Sequence, residues 1–203
     1  MTDPRNPQLQ GFLDAALGAL ERHAICDRAR ASLRRIAAAS HRVEPHGRAP
    51  AARLPVCAHL DPLLASLADH PAVGPLAHAF RDVAPLLVWR TRADPDGTAS
   101  RNFPTSHANA MFIGPGGIEP RSDIWIGVSL LAPHVRYPDH THAPEETYLV
   151  LSDGEFRQGD GDWFSPGVGG SFYNPPGIWH TMRSGDTPLL ALWALWNDGA
   201  GAA

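Results

Sequence analysis

Between His140 and Tyr148 the chain reads His-Thr-His-Ala-Pro-Glu-Glu-Thr-Tyr, and its four chemically versatile side chains, His140, His142, Glu146 and Tyr148, all occupy even positions. In an extended backbone alternate residues share a face. The stretch therefore predicts a strand, bent at Pro144, that aims two imidazoles, a carboxylate and a phenol at one point. Glu145 has the wrong parity to join them. A second stretch, Gly169 to His180, supplies another imidazole, His180, behind a Pro-Pro-Gly turn. Two histidines and a carboxylate in register, completed by a third histidine after a turn, predict a metal centre. Neutral imidazole and carboxylate suit a divalent transition metal: Zn, Fe, Mn, Ni or Co.

Composition narrows the partners. The 203 residues suit one domain, or one domain with an appendage, and can bury a sizeable core. A formal net charge of −4 leaves no basic footprint, so a small molecule rather than nucleic acid is the expected partner. No apolar run is long enough to span a bilayer, so no membrane association is expected. The first residues lack the pattern of a secretory signal, and the cytoplasm is the expected location. Cys26 and Cys57 lack metal-like or redox spacing and read as free thiols, with a single disulfide as the alternative. All 17 basic side chains are arginine. The absence of lysine removes Schiff-base chemistry and the lysine-dependent phosphate loop. Oligomeric state is not legible.

The chain changes character near Pro85. Before it, apolar residues recur at helical spacing. A helix over 6–22 starts at an Asn6 cap with Pro7 at its first position. A second helix is expected over about 27–39, then a loop over 41–54. A short helix opens at Asp61-Pro62 and closes by Pro71, and another spans 73–82. Residues 1–84 thus form a helical region, expected to pack on a second unit made of residues 85–203. In that unit, short β-branched and aromatic runs alternate with Gly, Pro and Asp. Strands are expected at 86–91, 110–113, 124–131, 147–152, 156–158, 162–164, 171–173 and 189–196, which argues for a sandwich or barrel. The Gly-Ala-Gly-Ala-Ala end reads as a frayed tail. All six tryptophans lie in this second unit, and most are expected in the core. Trp193 and Trp196 should face opposite ways in a strand, leaving one to line a cavity. Trp179, beside His180, is the expected pocket wall.

These motifs resemble the two signature motifs of the cupin superfamily, a small double-stranded β-helix barrel. The first has His-x-His, a Glu, then a Gly; here it is His140, His142, Glu146 and Gly154, with His134 where the leading Gly usually stands. The second is met by Gly169, Pro175, Gly177 and His180, with Ser184 in place of the closing Asn. The resemblance narrows to the cupin-type dimethylsulfoniopropionate lyases, whose pattern is met by Tyr137, His140, His142, Glu146, Tyr148 and His180. The helical region before the barrel resembles the longer members of that group. What this implies is a mainly β barrel with an N-terminal helical region. It would hold a metal through His140, His142, Glu146 and His180 and cleave dimethylsulfoniopropionate to dimethyl sulfide and acrylate.

Such an elimination needs a base for the proton beside the carboxylate. A phenol with a pKa of about 10 must be activated to serve. Tyr137 and Tyr148 are the candidates, with Tyr148 nearer the metal and Tyr137 the preferred base. Trp179 or Tyr173 could hold the sulfonium by cation–π attraction. Arg136 and Arg183 could steer the carboxylate but read better as solvated surface groups. His107 and His134 are the other histidines in the β part that invite suspicion. Two alternatives stay open: another cupin enzyme, such as a dioxygenase or isomerase, and a non-enzymatic sensor module.

Overall fold

The computed structural model describes residues 4–197, so the expected frayed tail lies outside the described residues. The helices are α1 (Pro7–His23), α2 (Asp27–Ser40), α3 (Leu60–Ser66), α4 (Gly74–Val83) and the short α5 (Phe103–Ser106). The strands are β1 (His107–Ile113), β2 (Ile124–Leu131), β3 (Glu145–Val150), β4 (Glu155–Gln158), β5 (Ser171–Asn174), β6 (His180–Arg183) and β7 (Leu189–Trp196). Asn6 caps α1 as expected, its Oδ1 accepting the Leu9 N–H at 3.1 Å. Cys26 caps α2 through Sγ.

The barrel is mainly β and antiparallel, built from two sheets. One has the strand order β1-β2-β7-β3-β5; the other pairs β4 with β6. Isolated bridges extend the smaller sheet, linking Arg136 to Arg183, His140 to His180 and Phe164 to Phe156.

Parity divides the five-stranded sheet into two faces. Even-numbered Ile124, Ile126, Val128 and Leu130 of β2, with Leu190, Leu192 and Ala194 of β7, join the helices in one buried cluster. Phe12 of α1 stacks on Phe112 of β1 with centroids 3.8 Å apart, and Phe80 of α4 meets Phe112 edge-on at 5.3 Å. The odd-numbered residues of β2 and β7 face the barrel interior, as do the even-numbered residues of β3. Leu131, Leu189 and Ala191 meet Phe156 and Met182 of the smaller sheet there. Because β2 and β7 are covered on both sides, they read as nearly continuous apolar runs.

Several expectations need correction. Segments 86–91 and 162–164 are not strands; each holds only isolated bridges, through Val88 and Arg90 in the first and Phe164 in the second. The first is extended, but its partners change from Ala52 to Asn109 within two residues, so no ladder continues. Strand β6 went unforeseen because three of its four residues, His180, Thr181 and Arg183, are polar; Thr181 Oγ1 donates to the Tyr137 carbonyl at 2.6 Å. The third helical segment begins earlier, with a 3-10 turn over Pro55–His59, and α3 ends at Ser66. Of the six tryptophans only Trp89 is buried in the core. Both cysteines are free.

The two departures from the motif keep the geometry that the motif serves. His134 stands in the left-handed region at φ 59°, where glycine is favoured. Ser184 closes the same loop: its Oγ donates to the Ala132 carbonyl at 2.6 Å and accepts the Val135 N–H at 2.9 Å. His134→Gly should therefore stabilise the fold by about 0.5–1 kcal/mol, the relief of left-handed strain less glycine's entropy cost. Urea denaturation would register this as a raised midpoint with an unchanged slope.

Candidate metal centre and active site

Two backbone devices assemble the centre. His140 and His180 form an antiparallel bridge, each main-chain N–H donating to the other's carbonyl at 3.0 and 2.9 Å. The Pro175-Pro176-Gly177-Ile178 turn is closed by the Ile178 N–H on the Pro175 carbonyl at 3.3 Å, with Gly177 at φ 73°. Proline second and a positive-φ glycine third make this a type II turn. Its Gly177 N–H also donates to the His142 carbonyl at 3.0 Å, tying the turn to the first motif.

The ring nitrogens are then sorted by hydrogen bonding. The Nδ1 atoms of His140, His142 and His180 contact the carbonyls of Pro138, Pro144 and Ile178 at 3.0, 2.8 and 3.0 Å. A carbonyl only accepts, so each Nδ1 carries the proton and each Nε2 presents a lone pair. The three imidazoles offer ligand atoms that all lie within 4.8 Å of one another. Glu146 Oε2 lies 3.3 Å from His142 Nε2 and 3.2 Å from His180 Nε2, and it accepts the Asn174 Nδ2–H at 2.9 Å. Yet Nε2 of both His142 and His180 is buried without a hydrogen-bond partner. Buried lone pairs left unmatched, with their N–H groups anchored behind them, are what a divalent cation requires of its ligands. The residues present fit a metal.

Electrostatics agree. Burial, then neighbouring His180 and Arg92, pushes the His140 imidazole down to about 3, so it is neutral at physiological pH. Burial would lower His142 too, but the Glu146 carboxylate outweighs it and raises the group. Glu146 is held well below the usual carboxylate range: burial opposes ionisation, but His142 and His180 prevail.

A cleft of about 330 Å³ opens beside this centre. Tyr137 and Tyr148 both line it and are both buried. Tyr148 stacks on Phe172 with centroids 4.8 Å apart. Burial first, then the Glu146 charge, pushes its phenol well above the ordinary value. Burial also raises Tyr137, against the pull of Arg92 and Asn109. Asn109 Nδ2 donates to the Tyr137 phenol oxygen at 2.9 Å, Ser129 Oγ donates to Asn109 Oδ1 at 2.7 Å, and Trp193 Nε1 donates to Ser129 Oγ at 3.1 Å. The indole can only donate, so the chain runs one way and leaves Asn109 with its amino group toward Tyr137. The Arg92 guanidinium lies 5.8 Å from the Tyr137 ring centroid and also lines the cleft.

Thus His140, His142, Glu146, Tyr148, His180 and Tyr137 come together. Trp179 and Tyr173 do not. Tyr173 pairs with Thr147, on the opposite parity to Glu146 and Tyr148, and its hydroxyl donates to Glu145 on the helix side. Trp179 is 52% exposed and lines not this cleft but a second hollow, with Arg157, Asp160 and the centre's own His180. Arg136 pairs with Asp139, and Arg183 with Glu155, both away from the cleft. Buried His107 is structural: its Nε2 accepts the Arg92 main-chain N–H at 2.7 Å. Sequence reasoning missed Arg92, Asn109, Trp125 and Ser129 as cleft residues. Of the pair expected to leave one ring for a cavity, Trp193 is the one that lines the cleft.

Known proteins place this geometry in a family. The family model described as dimethylsulfoniopropionate lyase matches residues 27–191. The chain belongs to the dimethylsulfoniopropionate lyase family. It is 30% identical over 142 residues to a Cereibacter sphaeroides protein provisionally named dimethylsulfoniopropionate lyase DddL. That match takes in 69% of this chain and 58% of the relative, so it spans little more than half of that protein. Among solved structures, one reported with the dimethylsulfoniopropionate lyases RdDddP and RnDddQII aligns over 97% of this chain and 95% of its own, with TM-score 0.69 and 24% identity. The lyase DddQ from Ruegeria pomeroyi DSS-3 aligns over the same shares, with TM-score 0.63 and 23% identity. These two likenesses show that the lyase-family chain shares their fold across nearly its whole length.

Two outcomes test the centre. Purified protein should retain about one divalent transition metal per chain, and His142→Ala or His180→Ala should weaken retention at least tenfold, by elemental analysis after dialysis against a weak chelator. Metal-free protein should lose stability as pH falls from about 6.5 toward 3. In that window the unfolded chain protonates His140, whereas the fold keeps it neutral. Denaturation midpoints measured across that range should fall less steeply in His140→Gln.

Proposed function

We propose that this chain is a metal-dependent carbon–sulfur lyase that cleaves dimethylsulfoniopropionate to dimethyl sulfide and acrylate. The observation that carries the reading is a cluster of three imidazole ligand atoms, two of whose histidines, His140 and His142, share a cleft with Glu146 and two buried phenols, in a chain of this family. His140, His142, Glu146 and His180 would hold the metal. When bound, it supplies a Lewis acid for the substrate carboxylate and a positive charge that favours ionised phenols nearby.

In this reading Tyr137 is the base. Its oxygen already accepts from Asn109, and the Arg92 guanidinium stands beside its ring. Both stabilise a phenolate. Glu146 opposes a charge on both phenols, but at Tyr148 it is second only to burial, whereas at Tyr137 the pull of Arg92 and Asn109 comes before it. The phenolate oxygen of Tyr137 takes the proton from the carbon next to the carboxylate. That C–H electron pair forms the C=C bond as the C–S bond breaks. The C–S pair leaves with sulfur as neutral dimethyl sulfide, so no acid is needed at the leaving group. Asn109, held in orientation by Ser129, positions the Tyr137 oxygen, and the buried walls exclude water from it.

Metal-loaded protein given dimethylsulfoniopropionate should release dimethyl sulfide, measured in headspace gas. Silence beside an active control enzyme would overturn the proposal. Tyr137→Phe should lower kcat about 10²–10⁴-fold while metal content is kept. Asn109→Ala should lower kcat by roughly tenfold with little change in KM, consistent with a group that acts on the base rather than on substrate. A Tyr148→Phe variant that loses turnover while Tyr137→Phe keeps it would reassign the base.

A further inference from the structure

With Trp179 and Tyr173 turned away, the cationic end of the substrate needs another seat. We infer that Trp125 and Trp193, inward residues of β2 and β7 that both line the cleft beside Gly127, form an aromatic wall that selects a trialkyl onium group. The inference rests on the lyase reading for the identity of the onium, but it concerns the cleft's charge preference, which is measurable without turnover.

The wall is built by the register of the larger sheet. Trp125, Gly127, Ser129 and Leu131 are successive inward residues of β2, and Gly127 lies directly opposite Trp193 of β7. A Cβ on Gly127 would sit 2.1 Å from the Trp193 ring. Glycine is thus required for the indole to lie across β2, in the space between Trp125 and Ser129. The Trp193 Nε1–H is spent on Ser129 Oγ at 3.1 Å, which fixes the ring, and the side chain lines the cleft. Met111, opposite Gly127 on β1, lines the cleft beside the indoles, as does Leu195, opposite Trp125 on β7. Both tryptophans are only partly buried, which a purely structural core indole would not need to be.

Charge separates the ends of the cleft. Arg92 is anchored by its backbone to His107, which pairs with Leu131 at the far end of β2 from Trp125. Its side chain turns to Tyr137. A cation therefore avoids that end, and an anion favours it together with the metal centre. Neither indole carries a charge that would repel a cation; the Trp193 N–H is spent, and the Trp125 Nε1–H is buried without a hydrogen-bond partner. A sulfonium has no N–H or O–H to satisfy, so a π-face and the Met111 thioether suit it better than hydrogen-bond acceptors. Strands lie about 4.8 Å apart. Trp193 is one strand, and Trp125 two strands, from the Glu146 strand. That separation accommodates a short ω-onium carboxylate lying from metal to wall.

The test compares two carboxylates of one shape, 3-(trimethylammonio)propionate and 4,4-dimethylpentanoate, its isostere with a neutral tert-butyl end. Binding to metal-loaded protein is followed by calorimetry and by quenching of tryptophan fluorescence. The wild-type protein should prefer the cation by about 2- to 30-fold. Trp125→Leu and Trp193→Leu should each erode the preference, and Gly127→Ala, which displaces the indole, should do the same. Trp179→Leu should leave it intact. Where a leucine variant loses metal or its circular dichroism signature, Trp125→Phe and Trp193→Phe keep a ring and should give a reduced preference. No cation preference in wild type, or a preference that survives in every Trp125 and Trp193 variant, overturns the inference. Dimethyl sulfide release without that preference would sink the wall and spare the lyase. The preference without gas release would do the reverse.

Discussion

Three ring N–H groups donated to main-chain carbonyls hold the site in its working form. Each fixes an imidazole's tautomer, so the Nε2 lone pairs of His140, His142 and His180 face a shared centre. The carbonyls belong to residues two positions away, at Pro138, Pro144 and Ile178. Local backbone shape thus decides ligand chemistry. Side-chain choice alone would not, since an imidazole free to swap its proton would not hold Nε2 open as the lone-pair donor.

A second constraint is the division of the larger sheet by parity. Glu146 and Tyr148 share a face with Trp193 and Ser129, while Tyr173, Glu145 and Trp196 share the other. The helical side is closed by ordinary hydrophobic packing. The inner side changes along the strands from aliphatic packing against Phe156 and Met182 to a polar and aromatic cleft. A single residue step would exchange these roles. For this reason the continuous pairing of β2 with β7 over eight residues matters as much as any one contact.

The legible part of the site was the part written contiguously. His140 to Tyr148 and the turn before His180 carry their spacing in the sequence, and strands β2 and β7 were bounded correctly because they are long and apolar. Arg92 and Asn109 were hidden, because they reach the cleft only after β1 pairs with β2 and with the segment preceding it. Trp179 misled by being adjacent to His180, since neighbours on an extended chain point apart. Tyr173 fell to the same rule, one residue out of step with Phe172 and Asn174. Where the motif lacked its expected Gly and Asn, nothing in the sequence revealed that His134 would adopt the glycine conformation or that Ser184 would bind the same loop.

Phe112 of β1 has a consequence beyond packing. Its ring is clasped by Phe12 and Phe80, while its neighbour Met111 turns into the cleft on the other side of the strand. The helical layer is therefore the outer skin of the same strand that furnishes the cavity. A chain stripped of those helices would bare Phe112, Ile126 and Leu192 to water as one greasy plane. It would be expected to clump with its copies before any ligand could reach the interior.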